Sequence, residues 1–216
     1  MRTRACLLGA TLLAVLGPSA ANGGQGFSAR VTNPWFPLTP GTIYTYVGVK
    51  DGKPSREVLS VTHRTTTIAG APCAVVDDRL WLAGHLEEKT LDWYSQDARG
   101  NVWYFGEQTA ELDTKGRVVT TEGSWKSGVD GARPGIFMPA HPRVGQSGQQ
   151  EYYKGQAEDH FRVVAFLGPN ALLTEEWTPL EPGVLDHKLY VRGTGTALER
   201  TIKGGDELNE LVSVKR

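Results

Sequence analysis

The chain has 216 residues, 23 basic and 24 acidic side chains, and a formal net charge of −1. This balance excludes the strongly basic surface that nucleic acid calls for, and equally a polybasic membrane-binding face. The length fits one domain with a real hydrophobic core.

Arg2 and Arg4 precede an apolar run from Ala5 to Leu16, which Pro18 breaks before Ser19-Ala20-Ala21. A basic head, a short apolar body and small residues at the end predict a secretory signal peptide over 1–21, cut after Ala21. The run is too short for a membrane span, which needs about 20 apolar residues. No later segment is apolar enough to span a bilayer. The expected location is secreted or periplasmic.

The mature chain, 22–216, loses two arginines and no acid, so 21 basic face 24 acidic residues, a net charge of −3. Cys6 leaves with the leader, so Cys73 is the remaining cysteine and no intramolecular disulfide is possible. Its setting, "APCAVVDD", is an apolar strand pattern and predicts burial.

Alternating and β-branched runs then follow one another, punctuated by Gly, Pro, Asp and Asn, with no sustained helical repeat. Candidate strands are 42–49, 56–69, 72–82, 86–96, 101–107, 109–113, 117–125, 150–154, 159–167, 171–179, 185–192, 196–202 and 210–215. Short links make sequential strands antiparallel neighbours. The fold class is all-β: a single domain over 22–216, an antiparallel meander curved into a barrel or half-barrel, because long meanders twist and tend to close.

One segment, Ser127 to Gln149, shows no strand pattern and is rich in Gly and Pro. It also carries Ile136-Phe137-Met138, an apolar trio that wants something to cover.

The stretch "DWYSQDARGNVWYFGE", Asp92 to Glu107, poses a choice between a cation-binding loop, a propeller signature and a turn. The element occurs once, which argues against a propeller. Asp97 and Asn101 lack the dense oxygen ligands of a calcium loop. Asp97 opens turns and Gly100 accepts positive φ, so a hairpin turn is expected.

The preceding hairpin is expected to turn at Ala83-Gly84, with Leu82 opposite His85. An unbroken register then sets Arg79 against Glu88 and Asp78 against Lys89, opposite charges on both faces. It puts Ala74, Val76, Leu80, Leu91, Trp93, Trp103 and Phe105 on a dry face. It puts Asp77, Arg79, Trp81, Glu88, Thr90, Asp92, Tyr94 and Tyr104 on a polar face with aromatic bodies. That second face is either a solvated exterior or a wet ligand surface inside a curved sheet.

"NPWFPLTPGTIYTYVG", Asn33 to Gly48, resembles the opening of a set of uncharacterised secreted bacterial proteins. "DWYSQDARGNVWYFGE", "EGSWKSGVDGARPGIFMP" and "QEYYKGQAED" resemble later blocks of the same set. The likeness spans most of the mature chain and implies no particular activity. More loosely, the meander and its late "YVRGTGTALER" are similar to lipoprotein-carrier and lipocalin-like half-barrel envelope proteins, with Thr196-Ala197 standing where those carry Leu-Val. That likeness implies a curved sheet around an apolar or mixed cavity.

The histidines, at 63, 85, 141, 160 and 187, show no metal-ligand spacing, and no Gly-x-Ser-x-Gly elbow is present. No metal or cofactor is expected. The favoured reading is a non-catalytic binder of a small amphipathic or lipidic molecule, with Trp81, Asp92, Tyr94 and Tyr104 lining the pocket and Phe137 and Met138 as lid. The first alternative is a small secreted lyase, isomerase or hydrolase using Glu151, His160 or His141 for proton transfer. The second is a cell-surface protein-protein module with a flat apolar patch around Ile136.

Overall fold

The computed structural model describes residues 26–216; the leader and its cleavage point lie outside the described residues. The strands are β1 (Phe27–Ser28), β2 (Ile43–Lys50), β3 (Lys53–Ile68), β4 (Ala71–Leu82), β5 (His85–Asp97), β6 (Val102–Leu112), β7 (Val118–Thr120) and β8 (Trp125–Lys126). They continue as β9 (Arg133–Met138), β10 (Ser147–Gln149), β11 (Glu151–Tyr152), β12 (His160–Phe166), β13 (Ala171–Trp177), β14 (Leu185–Val191), β15 (Gly195–Lys203) and β16 (Leu208–Lys215). The described residues contain no helix, and so none long and apolar enough to cross a membrane.

All pairings are antiparallel, in the order β10-β12-β13-β14-β15-β16-β2-β3-β4-β5-β6-β9-β11. The two ends of that order, β10 and β11, are consecutive in sequence and separated by Gln150 alone. One extended segment therefore pairs with β12 through Ser147–Gln149 and with β9 through Glu151–Tyr152. It stitches the two edges of the sheet and nearly closes the barrel, which removes the exposed edges that invite aggregation.

This seam lies within and beside the segment expected to be a loop. β9 and β10 are strands there, and Met138 and Gly135 pair with Val102 and Tyr104 of β6. The reason a glycine stands in β9 is steric. A Cβ on Gly135 would overlap the carbonyl oxygens of Gln149 and Gln150, where the closing segment crosses.

The expected hairpin turn at Ala83-Gly84 is present, both residues having positive φ (47° and 84°) and Leu82 lying opposite His85. The expected register beyond it fails. A bulge between Leu80 and Trp81 sets Arg79 opposite Lys89 and Asp78 opposite Thr90. Arg79 takes its counter-charge along its own strand instead, donating Nε–H to Asp77 at 2.8 Å. The one-residue slip exchanges the faces of β4. Ala74 and Val76 now pair with Tyr94 and Asp92 on the inner face. Trp81 and Arg79 turn outward, where the Arg56 guanidinium stacks over the Trp81 ring at 5.1 Å.

Two apolar clusters result. The main one fills the barrel around Tyr44, Tyr46, Tyr94, Tyr104, Phe161, Leu172 and Tyr190. A smaller one lies on the outside of β3–β6, where Ile68, Cys73, Val75, Trp93 and Phe105 pack with Phe27. Cys73 is buried there, and burial pushes its thiol up to about 12.

Candidate functional site

The floor of the barrel is built by the Asn-Pro-Trp-Phe-Pro stretch. Asn33 is 2% exposed and its side chain is fully used. Its amide donates to Gly100 O (2.9 Å) and Pro139 O (3.0 Å), and its Oδ1 accepts from Trp35 N–H (2.8 Å). Gln96 Oε1 accepts from the Thr32 and Asn33 amides, both at 2.8 Å. These bonds tie the N-terminal segment to the β5–β6 turn and to the end of β9. They hold Phe36 inside, 4.5 Å from Phe137 and 5.2 Å from Tyr94 between ring centres.

The β5–β6 connection is a turn, as expected. Asp97 Oδ1 accepts from the Arg99 and Asn101 amides, and its Oδ2 accepts from Asn101 Nδ2 and Trp103 Nε1. Burial raises its carboxyl, but these four donors outweigh it and hold it below the usual range. The carboxylate is saturated by the chain's own donors, which is the physical content of an Asx turn.

Above the floor lies a cavity of about 420 Å³. Its apolar lining is Phe36, Tyr94, Tyr104 and Phe137, with Tyr94 and Tyr104 stacked at 4.7 Å. Its lining also holds Glu57, Glu107, Glu151, Asp159, Glu176, Glu181 and Glu199 and, among the described residues, a single cation, Lys188. That lysine is committed: its Nζ lies 3.2 Å from Glu176 and 3.1 Å from Glu199. Glu176 is fixed further by Tyr190 Oη–H (3.0 Å) and Thr174 Oγ1–H (2.9 Å). The two carboxylates outweigh burial and keep Lys188 protonated, well above the ordinary range.

Burial raises several of these acids. Burial, then Asp92 and Glu151, push Glu107 up to about 9. Burial, then Asp159, push Glu151 up to about 8 against a hydrogen bond from Trp125 Nε1 (3.3 Å). Asp92 lies behind Tyr104, whose hydroxyl donates to its Oδ1 at 2.5 Å. Burial carries Asp92 up to about 7 although that hydrogen bond opposes the shift. Burial takes Glu199 to about 7 even against Lys188. Desolvation dominates each of these shifts.

The structure brings Tyr94, Tyr104, Phe137 and Glu151 into one cavity, with Asp92 behind it. Trp81 lies outside the barrel. Met138 is 2% exposed in the core and forms no lid. His160 turns outward between Glu158 O (2.7 Å) and the Trp177 ring (5.5 Å). His141 borders a separate hollow beside Trp35, Arg99 and Arg192. Glu151, His160 and His141 therefore do not converge. Among the residues missed by sequence reasoning are Glu57, Glu107, Glu176, Lys188 and Glu199. Each occupies a polar position in an alternating strand, and alternation does not distinguish a wet inside from a wet outside.

No protein-family model matches the chain, and no curated protein matches it. Among solved structures, the chain is similar to a candidate exported protein with a YmcC-like fold from Bacteroides fragilis, at TM-score 0.46 and 14% identity over 84% of this chain and 99% of that one. It is also similar to a candidate lipoprotein from Parabacteroides distasonis, at TM-score 0.43 and 10% identity over 85% of this chain and 99% of that one.

Proposed function

We propose that this is an extracytoplasmic binding protein that holds a small amphipathic molecule inside its barrel without covalent chemistry. The observation that carries the reading is the cavity of about 420 Å³, lined by both aromatic rings and carboxyl groups. Concave sites with apolar bodies and a few placed polar groups are the usual form of small-molecule sites. Phe36, Tyr94, Tyr104 and Phe137 would take the apolar part, and the carboxyl groups the polar part. The leader-like N-terminus supports export. The separation of His141 and His160 from Glu151 favours binding over acid–base catalysis.

The test is native mass spectrometry of the mature chain purified without detergent from its natural host. The expected result is a fraction carrying one small molecule, lost on denaturation and extractable into organic solvent. A protein that is uniformly empty, and stays so after exposure to host lipid extract, contradicts the reading.

A further inference from the structure

The charge of the ligand follows from what the cavity lacks. Seven carboxyl groups line it against one lysine among the described residues, and that lysine already bridges Glu176 and Glu199. Among the described residues, no hydrogen bond or ion pair reaches the Glu107 carboxylate. A second observation is independent of the acids. Tyr94 is 6% exposed and lines the cavity, yet its hydroxyl makes no hydrogen bond among the described residues. The other buried tyrosines each use theirs, Tyr44 on Pro37 O, Tyr46 on Thr196 O, Tyr104 on Asp92 and Tyr190 on Glu176. The Tyr94 oxygen is therefore open to the cavity, where a ligand atom can reach it.

Resting on the binding reading above, we propose that the ligand's polar end is an organic ammonium group, received by Glu107 with the Tyr94 hydroxyl beside it, while its apolar part lies on Tyr104 and Phe137. An ammonium offers N–H donors to the phenol oxygen and to the Glu107 carboxyl, which gives up its proton as the cation binds. An anionic headgroup would meet acidic side chains with no free cation among the described residues. A bare metal ion fits less well, because no three or more His, Cys, Asp or Glu side chains converge among the described residues.

The experiment is calorimetric titration of the mature protein with octylamine, octanol, octanoate and spermidine at one ionic strength. Octylamine is expected to bind one to one, at least about tenfold tighter than octanol or octanoate, as for a charge-assisted hydrogen bond inside a cavity. Glu107→Gln is expected to remove that preference, so that octylamine binds no more tightly than octanol. Tyr94→Phe is expected to weaken octylamine alone, by a smaller factor. Octanol or octanoate binding as tightly as octylamine overturns the ammonium assignment and leaves amphipathic binding standing. Full octylamine affinity in Glu107→Gln overturns the assignment to that residue. Spermidine matching octylamine keeps the ammonium and overturns the amphipathic reading. No binding by any of the four overturns both.

Discussion

Tyr104 and Asp92 form a hydrogen bond of 2.5 Å between adjacent strands, on the inner face of the barrel and closed off from water. Tyr104 lines the cavity and Asp92 stands behind it, so this bond sets the tilt of an aromatic wall. Tyr104→Phe leaves a buried carboxyl without its donor and should cost about 1–3 kcal/mol. Urea unfolding measures the loss. The same substitution removes an interaction that lowers the Asp92 pKa, so Asp92 should titrate above its value of about 7, visible by carboxyl-carbon NMR.

The buried carboxyl groups make stability depend on pH. Glu107, Glu151, Asp92 and Glu199 all have folded values raised to between about 7 and about 9, against ordinary values of 4.5 for Glu and 3.8 for Asp. The folded chain holds more protons than the unfolded chain across that interval. Their contribution is fully present below the unfolded values and is lost as pH rises through the folded ones. The melting temperature should therefore fall between about pH 5 and pH 9. Glu107→Gln should flatten the fall, matching the native protein near pH 5 and exceeding it at pH 9 by about 2–4 °C per kcal/mol relieved.

Barrel closure rests on a missing side chain. Gly135→Ala forces a methyl group against the Gln149 and Gln150 carbonyls. It should destabilise by about 1–3 kcal/mol, as overpacking does. Amide exchange should quicken first in β9, β10 and β11, and least in β16 and β2, midway along the sheet order.

The floor depends on Asn33. Asn33→Ala removes two amide donors and the acceptor for Trp35 N–H. A loss of about 2–3 kcal/mol is expected from buried groups left unpaired. Exchange protection should drop at Trp35, whose amide loses its acceptor, and a thermal melt gives the size of the loss.

The long hairpins were legible because β2 to β6 alternate cleanly and turn at short, glycine-containing links such as Ala83-Gly84. The β4–β5 register was not. Cross-strand charge pairing assumed that Arg79 needs a partner opposite, whereas Asp77 serves it two residues away on the same strand, and the bulge at Trp81 leaves no mark in the sequence. β9 was hidden by Pro134-Gly135, residues that read as loop but are placed where a second strand crosses. Tyr94 and Tyr104 were found from the hairpin geometry. Glu176, Lys188 and Glu199 were not, because β13, β14 and β15 meet β5 and β6 only across the barrel interior, a proximity created by closure and absent from local pattern.

The most direct measurement is a crystal structure of the mature protein grown with octylamine and, separately, with octanol. The binding account predicts density for the alkyl chain against Tyr104 and Phe137 in both crystals, with the octylamine nitrogen at the Glu107 carboxylate. Ligand seated only on the outer surface, or an interior occupied by ordered water alone at saturating ligand, would contradict it.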